Sequence, residues 1–253
     1  PEMCITGYWF LRDLSREKLL ALAEPVPSGP TTEELQDLAR RHNLSVGAGL
    51  LEISDEGEMF NSYVVAMPDG RTVCHRKLHA FVNEHIASGS EFTVFDLPNG
   101  NRAAILICYD NNLVENPRIT TMMGAQLIVA PHVTCCLPSN MPGRGIVERS
   151  LWDNRHRDPV SLRQQFSGPK GRDWLMRWLP TRAYENGVYY AFSNPIGWDY
   201  DTVKPGLSMI IDPFGELVAE SAALDDDVVV GLLTSEKLDN TSGSRYLQAR
   251  RPE

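Results

Sequence analysis

The sequence predicts an α/β fold built on mixed β-sheets, and three observations carry that expectation. Ala103-Ala104-Ile105-Leu106-Ile107 is a continuous apolar run that ends at Cys108, and such a run between turn signals reads as a buried strand. Asn111 to Met123 can then form a helix and Leu127-Ile128-Val129-Ala130 another strand. That order is a βαβ unit, whose crossover sets its two strands parallel. Upstream lie two hairpins, which need antiparallel pairs. Helices combined with both kinds of pairing imply a mixed sheet, or two sheets packed together with helices outside. Many of the strands are apolar in runs rather than alternating, so at least one sheet is expected to be covered on both faces.

Taken in order, Thr31 with Glu34 spells a capping box, and Leu35, Leu38 and Ala39 give the helix an apolar face through to Asn43. A strand follows at Leu44 to Ile53. Met59–Met67 turns at Pro68-Asp69-Gly70 into Thr72–Lys77, and Phe92–Leu97 turns at Pro98–Asn101 into the Cys108 strand. Beyond the βαβ unit, Leu137 to Lys170 is long and less regular. Arg172 to Glu185 reads as a helix interrupted or ended near Pro180. Val188–Asn194, Leu207–Ile211, Glu216–Glu220 and Val228–Leu233 read as strands, with Pro213-Phe214-Gly215 as a turn.

A chain of 253 residues with 42% hydrophobic content can bury a sizeable core, as one large α/β domain or two small ones. No linker separates two composition regimes, so a single domain over 1–253 is expected. The net charge of -9 argues against nucleic acid or an anionic membrane as partner. No apolar stretch reaches the ~18–20 residues that span a bilayer, and nothing resembles a signal peptide. The five cysteines, at 4, 74, 108, 135 and 136, do not look like a disulfide framework, which points to a reducing cytoplasm. Cys135-Cys136 with His132 is the one cysteine and histidine cluster, and it lacks the spaced pairs of a structural zinc site. There is no P-loop, no GxGxxG after a strand and no internal repeat.

Cys108 stands at the carboxyl end of a strand and beside the start of a helix. That edge is where open α/β sheets bind ligands, and where N–H groups and a helix dipole stabilise a thiolate. A lone strand-end cysteine is ordinarily a small buried hydrophobe, so other groups must support a chemical role. A thiol attacking a carbonyl or nitrile carbon needs a base for its proton and a cationic or N–H site for the oxyanion. Lys77 closes a strand in Arg76-Lys77-Leu78-His79, and Glu2 lies in Pro1-Glu2-Met3-Cys4-Ile5-Thr6-Gly7-Tyr8. Taken alone, an edge lysine and a terminal glutamate are ordinary solvated residues.

Together these pieces change weight. Pro1-Glu2 with Thr6-Gly7-Tyr8, then Arg76-Lys77-Leu78-His79, then Ile107-Cys108-Tyr109-Asp110 follow one another in order. Arg182-Ala183-Tyr184-Glu185-Asn186-Gly187, Asn194, Gly206-Leu207-Ser208 and Asp212-Pro213-Phe214-Gly215 complete the set. The set resembles the nitrilase (carbon–nitrogen hydrolase) superfamily, over nearly the length of the chain. The resemblance implies a four-layer αββα sandwich of two mixed β-sheets with outer helices. It also implies a Glu-Lys-Cys triad of Glu2, Lys77 and Cys108, with Glu84 in Val82-Asn83-Glu84-His85 as a further glutamate of the site. In that scheme Glu2 deprotonates Cys108, and Lys77 with the backbone N–H of Tyr109 holds the oxyanion. A thioester on Cys108 is then released by water, with no metal or organic cofactor. A homodimer or larger assembly is expected as well. The chain begins inside the base motif, without the strand expected before Glu2, and closes at Arg250-Arg251-Pro252-Glu253 where relatives continue. Both ends are therefore expected to be trimmed from a longer protein, and a truly terminal Glu2 is expected to fray.

Tyr109-Asp110 follows the nucleophile where nitrilases proper typically show Trp-Glu, so the resemblance is to the amidase and carbamoylase branch. The expected substrate is a small linear amide or N-carbamoyl compound. The alternatives are a nitrile, a non-catalytic binding relative and, on weaker grounds without a CxxC, a thiol redox protein. The βαβ order places the loop Pro131–Cys136 beside Cys108, which makes His132, Thr134 and Cys135 candidate substrate contacts. The thiols of Cys135 and Cys136 are read as bystanders to the chemistry. Arg144, Arg149, Arg155, His156, Arg157 and Arg163 make the following insert locally basic. A guanidinium there would favour a carboxylate-bearing substrate, although a solvated face or subunit contact is the usual fate of such residues. Trp152, Trp174 and Trp178 are read as core or interface packing that could also line the pocket.

Overall fold

The helix expected from Thr31 starts one residue earlier, at Pro30, in a computed structural model that describes residues 1–249. The segment Arg250–Glu253, expected to be a trimmed end, lies outside the described residues. These form two compact units, Pro1–Ala125 with Val129–Pro131, and Gln126–Ile128 with His132 onward.

In the first unit a short α1 (Arg16–Leu20) precedes α2 (Pro30–His42). Proline has no N–H to lose and a preset φ, so it suits the first helical position. The cap of α2 corrects the expected Thr31–Glu34 box. Gly29 is the N-cap and offers no side chain, and Glu24 takes over from outside the helix. Its carboxylate accepts the Thr31 N–H and the Thr31 hydroxyl, each at 2.8 Å. Leu35 and Ala39 of α2 pack on Ala48, Leu50, Val64 and Ala66. Those residues alternate along β1 (Val46–Ile53) and β2 (Met59–Ala66), which pair antiparallel throughout. The sheet continues with β3 (Thr72–Arg76), antiparallel to β2, and a short β4 (Ile86–Ala87), parallel to it.

The hairpin of β5 (Thr93–Asp96) and β6 (Arg102–Ile105) forms as expected. Beyond β6 the chain stays fully buried through Leu106 and Ile107, and the Leu106 N–H donates to Val129 O in β7 (Leu127–Pro131). No α-helix starts at Cys108. A 3₁₀ turn over Cys108–Asn112 comes first, and α3 spans Glu115–Met122.

In the second unit the Leu137–Lys170 region is more regular than expected. It holds α4 (Arg149–Asp153) and α5 (Pro159–Ser167), the latter capped by Asp158, whose side chain accepts the Ser161 N–H. The interruption expected near Pro180 is there: α6 (Arg172–Leu175) stops before it, and α7 (Leu179–Asn186) carries Pro180 in its first turn. A sheet of β8 (Tyr189–Ser193), β11 (Met209–Ile211) and β12 (Leu217–Glu220) pairs antiparallel in the order β8-β11-β12. Between β8 and β11 lies an unexpected hairpin of β9 (Ile196–Asp199) and β10 (Thr202–Pro205). The expected strand Val228–Leu233 does not form. That segment exposes Val228, Val230 and Leu232, so its alternation turns the larger side chains outward. Two helices, α8 (Ser235–Asp239) and α9 (Ser242–Ala249), close the described chain. No helix among the described residues is long and apolar enough to cross a membrane.

Candidate active site

Glu2 is held by the segment that follows it. Ile5 N–H donates to Gly49 O at 3.0 Å and Leu51 N–H to Thr6 Oγ1 at 3.0 Å, which straps the first residues along β1. Gly49 is required for that approach, since a Cβ there would collide with the Met3 nitrogen. The strapped segment leaves Glu2 1% exposed. Glu2 Oε1 accepts Asn61 Nδ2 at 2.7 Å and Lys77 Nζ at 2.6 Å. Its other oxygen, Oε2, is buried with no hydrogen-bond partner among the described residues.

Lys77 follows β3 directly, and its main chain is fixed at both ends. Its N–H donates to Asn61 O and its carbonyl accepts the Gly89 N–H, both at 2.8 Å. The side chain is fully buried, with the ammonium 4.7 Å from the centre of the Phe81 ring and 5.5 Å from that of Tyr8. Burial pulls the Lys77 pKa down. The Glu2 carboxylate, the Cys108 sulfur and Asp110 together outweigh it and hold the ammonium above the ordinary lysine range. This is a cation kept charged in a dry place.

Cys108 is 7% exposed and has φ 49°, a left-handed backbone that a non-glycine residue adopts only when its surroundings impose it. The Asn111 side chain spans this corner, donating to Leu106 O at 2.6 Å and Cys108 O at 3.3 Å. Tyr109 is 45% exposed and packs edge-on against His79 and Phe81. Among the described residues its N–H has no backbone acceptor.

The structure does not gather every residue singled out from the sequence. Glu2 and Lys77 are hydrogen-bonded, and the Cys108 sulfur lies near enough to act on the Lys77 charge, with Tyr109 next to Cys108 in the chain. Glu84 is exposed and lines an open surface depression of about 510 Å³ with Arg12, Asp13, Phe81 and His85. His132, Thr134 and Cys135 belong to the second unit, all buried. There Asn194 organises them. It accepts the Thr134 N–H at 2.8 Å and donates to Thr134 O at 3.2 Å, while His132 packs between Trp178 and Phe192. Cys135 and Cys136 both have positive φ, and their thiols point at the Gly171 and Lys170 carbonyls. Arg144 stacks on Trp174 at 3.9 Å instead of standing in solvent.

Sequence reasoning missed Asn61 and Asp110. The signal for Asn61 was a buried amide inside the apolar strand Met59–Ala66, where a polar group must find a partner. Among the described residues no group of three or more His, Cys, Asp or Glu could hold a metal ion.

With this geometry in place the family is plain. The profile of the carbon-nitrogen hydrolase family matches residues 1–242, and the chain belongs to that family. It is 28% identical to an (R)-stereoselective amidase of Pseudomonas sp., over 99% of this chain and 78% of that protein. It is 27% identical to a nitrilase of Pyrococcus abyssi, over 91% of this chain and 73% of that one. Among solved structures it shares its fold with the amidase of Nesterenkonia sp., seen after Michael addition of acrylamide at that enzyme's active-site cysteine. The TM-score is 0.63 at 19% identity, covering 98% of this chain and 84% of the other. The mixed α/β class expected from the sequence is thus the fold of the nitrilase superfamily.

Proposed function

We propose that this carbon–nitrogen hydrolase is a cysteine-dependent amidase that works through Glu2, Lys77 and Cys108. The observation that carries the reading is the buried Glu2–Lys77 pair, in which one carboxylate oxygen is fixed by two donors and the other is left open. A fixed carboxylate with an open oxygen can take up a proton without moving.

Glu2 Oε2 accepts the proton of Cys108, and the thiolate attacks the carbonyl carbon of a small amide or N-carbamoyl compound. Negative charge passes to the carbonyl oxygen, where the Lys77 ammonium and the Tyr109 N–H receive it. One such donor is worth roughly 3–4 kcal/mol in other enzymes. Collapse of the tetrahedral intermediate breaks the C–N bond. Glu2 gives its proton to the departing nitrogen, and a thioester remains on Cys108. Water, deprotonated by Glu2, attacks the thioester; the acid leaves and the thiol is restored. The reading needs no cofactor. Tyr109-Asp110 after the nucleophile and the amidase relative favour an amide over a nitrile, for which the same three groups would pass through a thioimidate. The enzyme acts as a homodimer or larger assembly, which sedimentation would test.

The experiment is ammonia release from a panel of amides, N-carbamoyl compounds and nitriles, each run beside Cys108→Ala. Release from amides or carbamoyl compounds that Cys108→Ala abolishes is expected. Release from nitriles alone would move the enzyme to the other branch. Unchanged release by Cys108→Ala would remove the nucleophile.

A further inference from the structure

Asp110 stands two residues beyond the nucleophile, yet its carboxylate is spent on the lysine loop. The residue is fully buried. Oδ2 accepts the Leu78 N–H at 3.1 Å, and Oδ1 accepts the His79 N–H at 3.0 Å and lies 2.9 Å from His79 Nδ1. These are the two residues that follow Lys77. The Asp110 main chain is pinned in turn, its N–H to Ile107 O at 3.1 Å and its carbonyl to Asn116 Nδ2 at 2.9 Å. One side chain therefore ties two segments 31 and 32 residues apart, the corner holding Cys108 and the strand end holding Lys77.

We infer that Asp110 is a positioning residue that sets the distance between the Lys77 ammonium and the Cys108 corner by clamping the Leu78 and His79 N–H groups. This rests on the proposed function, since it concerns the same lysine and thiol. The physical argument is one of register. Lys77 has a long side chain with rotatable bonds, and its ammonium is anchored at the far end by a hydrogen bond to Glu2. Its near end is set by where the main chain leaves β3, and beyond Gly89 and Asn61 the Asp110 carboxylate is what fixes that exit. Hydrogen bonds from backbone N–H groups to a buried carboxylate are short, directional and stronger than neutral ones. A clamp of this kind holds main chain, whereas a salt bridge to Lys77 itself would hold only a mobile side chain. Asp110 touches neither substrate nor the reacting atoms in this scheme; it acts through Lys77.

The test measures acylation of Cys108 by p-nitrophenyl acetate, followed as the burst of p-nitrophenol, in four proteins: wild type, Asp110→Asn, Lys77→Ala and the double variant. Asparagine is isosteric and keeps one acceptor, so it releases one of the two N–H groups. Asp110→Asn should slow acylation about tenfold to a hundredfold, the cost of a small misplacement. In the Lys77→Ala background the same change should cost less than about twofold, because the group it positions is gone. His79→Ala removes the imidazole contact and keeps both backbone bonds, so it should change the rate less than about threefold. If Asp110→Asn does not fold, Asp110→Ser offers a single hydroxyl acceptor in its place and is read in the same way. An equal loss in both backgrounds would overturn the inference, because Asp110 would then support the fold generally. So would an Asp110→Asn rate equal to wild type while Cys108→Ala is inert, and in that case the proposed function would survive. If wild-type Cys108 is acylated no faster than the other cysteines, the proposed function fails, and the inference with it.

Discussion

The first unit contains two groupings of a carboxylate, a cation and a thiol, on opposite sides of the β2–β3 hairpin. Glu2, Lys77 and Cys108 lie on one side. Glu52, Arg76 and Cys74 lie on the other, fed by the very next residues of the same strands, since Asn61 and Ser62 point to opposite faces, as do Lys77 and Arg76. What separates them is saturation. Arg76 forks onto both oxygens of Glu52, with Nε 3.1 Å from each and Nη2 2.6 Å from Oε1, and Ser62 and the Cys74 thiol fill the rest. Glu52 has no oxygen left to act as a base. Its charge, after burial, helps push the Cys74 thiol up to about 12. On the other side a lysine, a point charge with no fork, leaves Glu2 Oε2 open. The same three functional groups make a closed structural knot in one place and leave a carboxylate oxygen open in the other, where the proposed mechanism puts the proton acceptor.

The largest expected effect is the loss of the Cys108 thiol. Cys108→Ala should reduce turnover to buffer background, a fall of at least about 10³-fold. Cys74→Ala should leave turnover within about twofold. A Cys74→Ala enzyme as dead as Cys108→Ala would break the contrast. Next come the cations. Lys77→Ala should lower kcat about 10²- to 10³-fold with little change in KM. Arg76→Ala should leave kcat within a few-fold but cost about 2–3 kcal/mol of stability, because a buried carboxylate loses its partner. Chemical denaturation beside steady-state kinetics reads both, and a kcat loss from Arg76→Ala equal to that of Lys77→Ala would erase the distinction.

How far these groupings could be read in the sequence follows from their physics. The apolar run into Cys108 and the two hairpins were legible, because burial and turn chemistry are local. So was the order of the segments carrying Glu2, Lys77 and Cys108. Asn61 was only half legible, as a polar residue in a buried strand whose partner lay 59 residues away. Asp110 carried no local sign that its carboxylate would cap a loop 31 residues upstream. The β9–β10 hairpin escaped notice because its turn has Tyr200 at φ 57° where a glycine or asparagine would have signalled it.

A third contrast concerns when each thiol reacts. A group whose pKa is raised to about 12 gives its thiolate only as pH climbs toward that value. At pH 9, where an ordinary thiol is largely ionised, only a small fraction of Cys74 is thiolate. Iodoacetamide labelling followed by peptide mass should therefore modify Cys108 first near neutral pH and leave Cys74 largely unlabelled through pH 9. Cys136, which burial also pushes to about 12, should behave as Cys74 does. Labelling of Cys74 alongside Cys108 at pH 8 would mean that the Glu52 knot opens in solution.

The smallest effect is the sharpest probe, because it compares neighbours on one strand. Asn61 donates to Glu2 and Ser62 donates to Glu52. Each loses a hydrogen bond to a buried carboxylate on substitution by alanine, at about 1–3 kcal/mol for a bond to a charged group. The two losses should be read in different observables. Asn61→Ala frees Glu2 Oε1 to turn toward Lys77 alone, so the open oxygen drifts from the Cys108 proton and kcat should fall about 3- to 10-fold. Ser62→Ala leaves Arg76 and Cys74 on Glu52 and should lower the thermal midpoint by a few degrees with kcat unchanged. If Asn61→Ala moved only the thermal midpoint, the amide would be packing and not orientation. The base would then be aimed by Lys77 alone, and the two faces would differ only in whether a fork or a point charge meets the carboxylate.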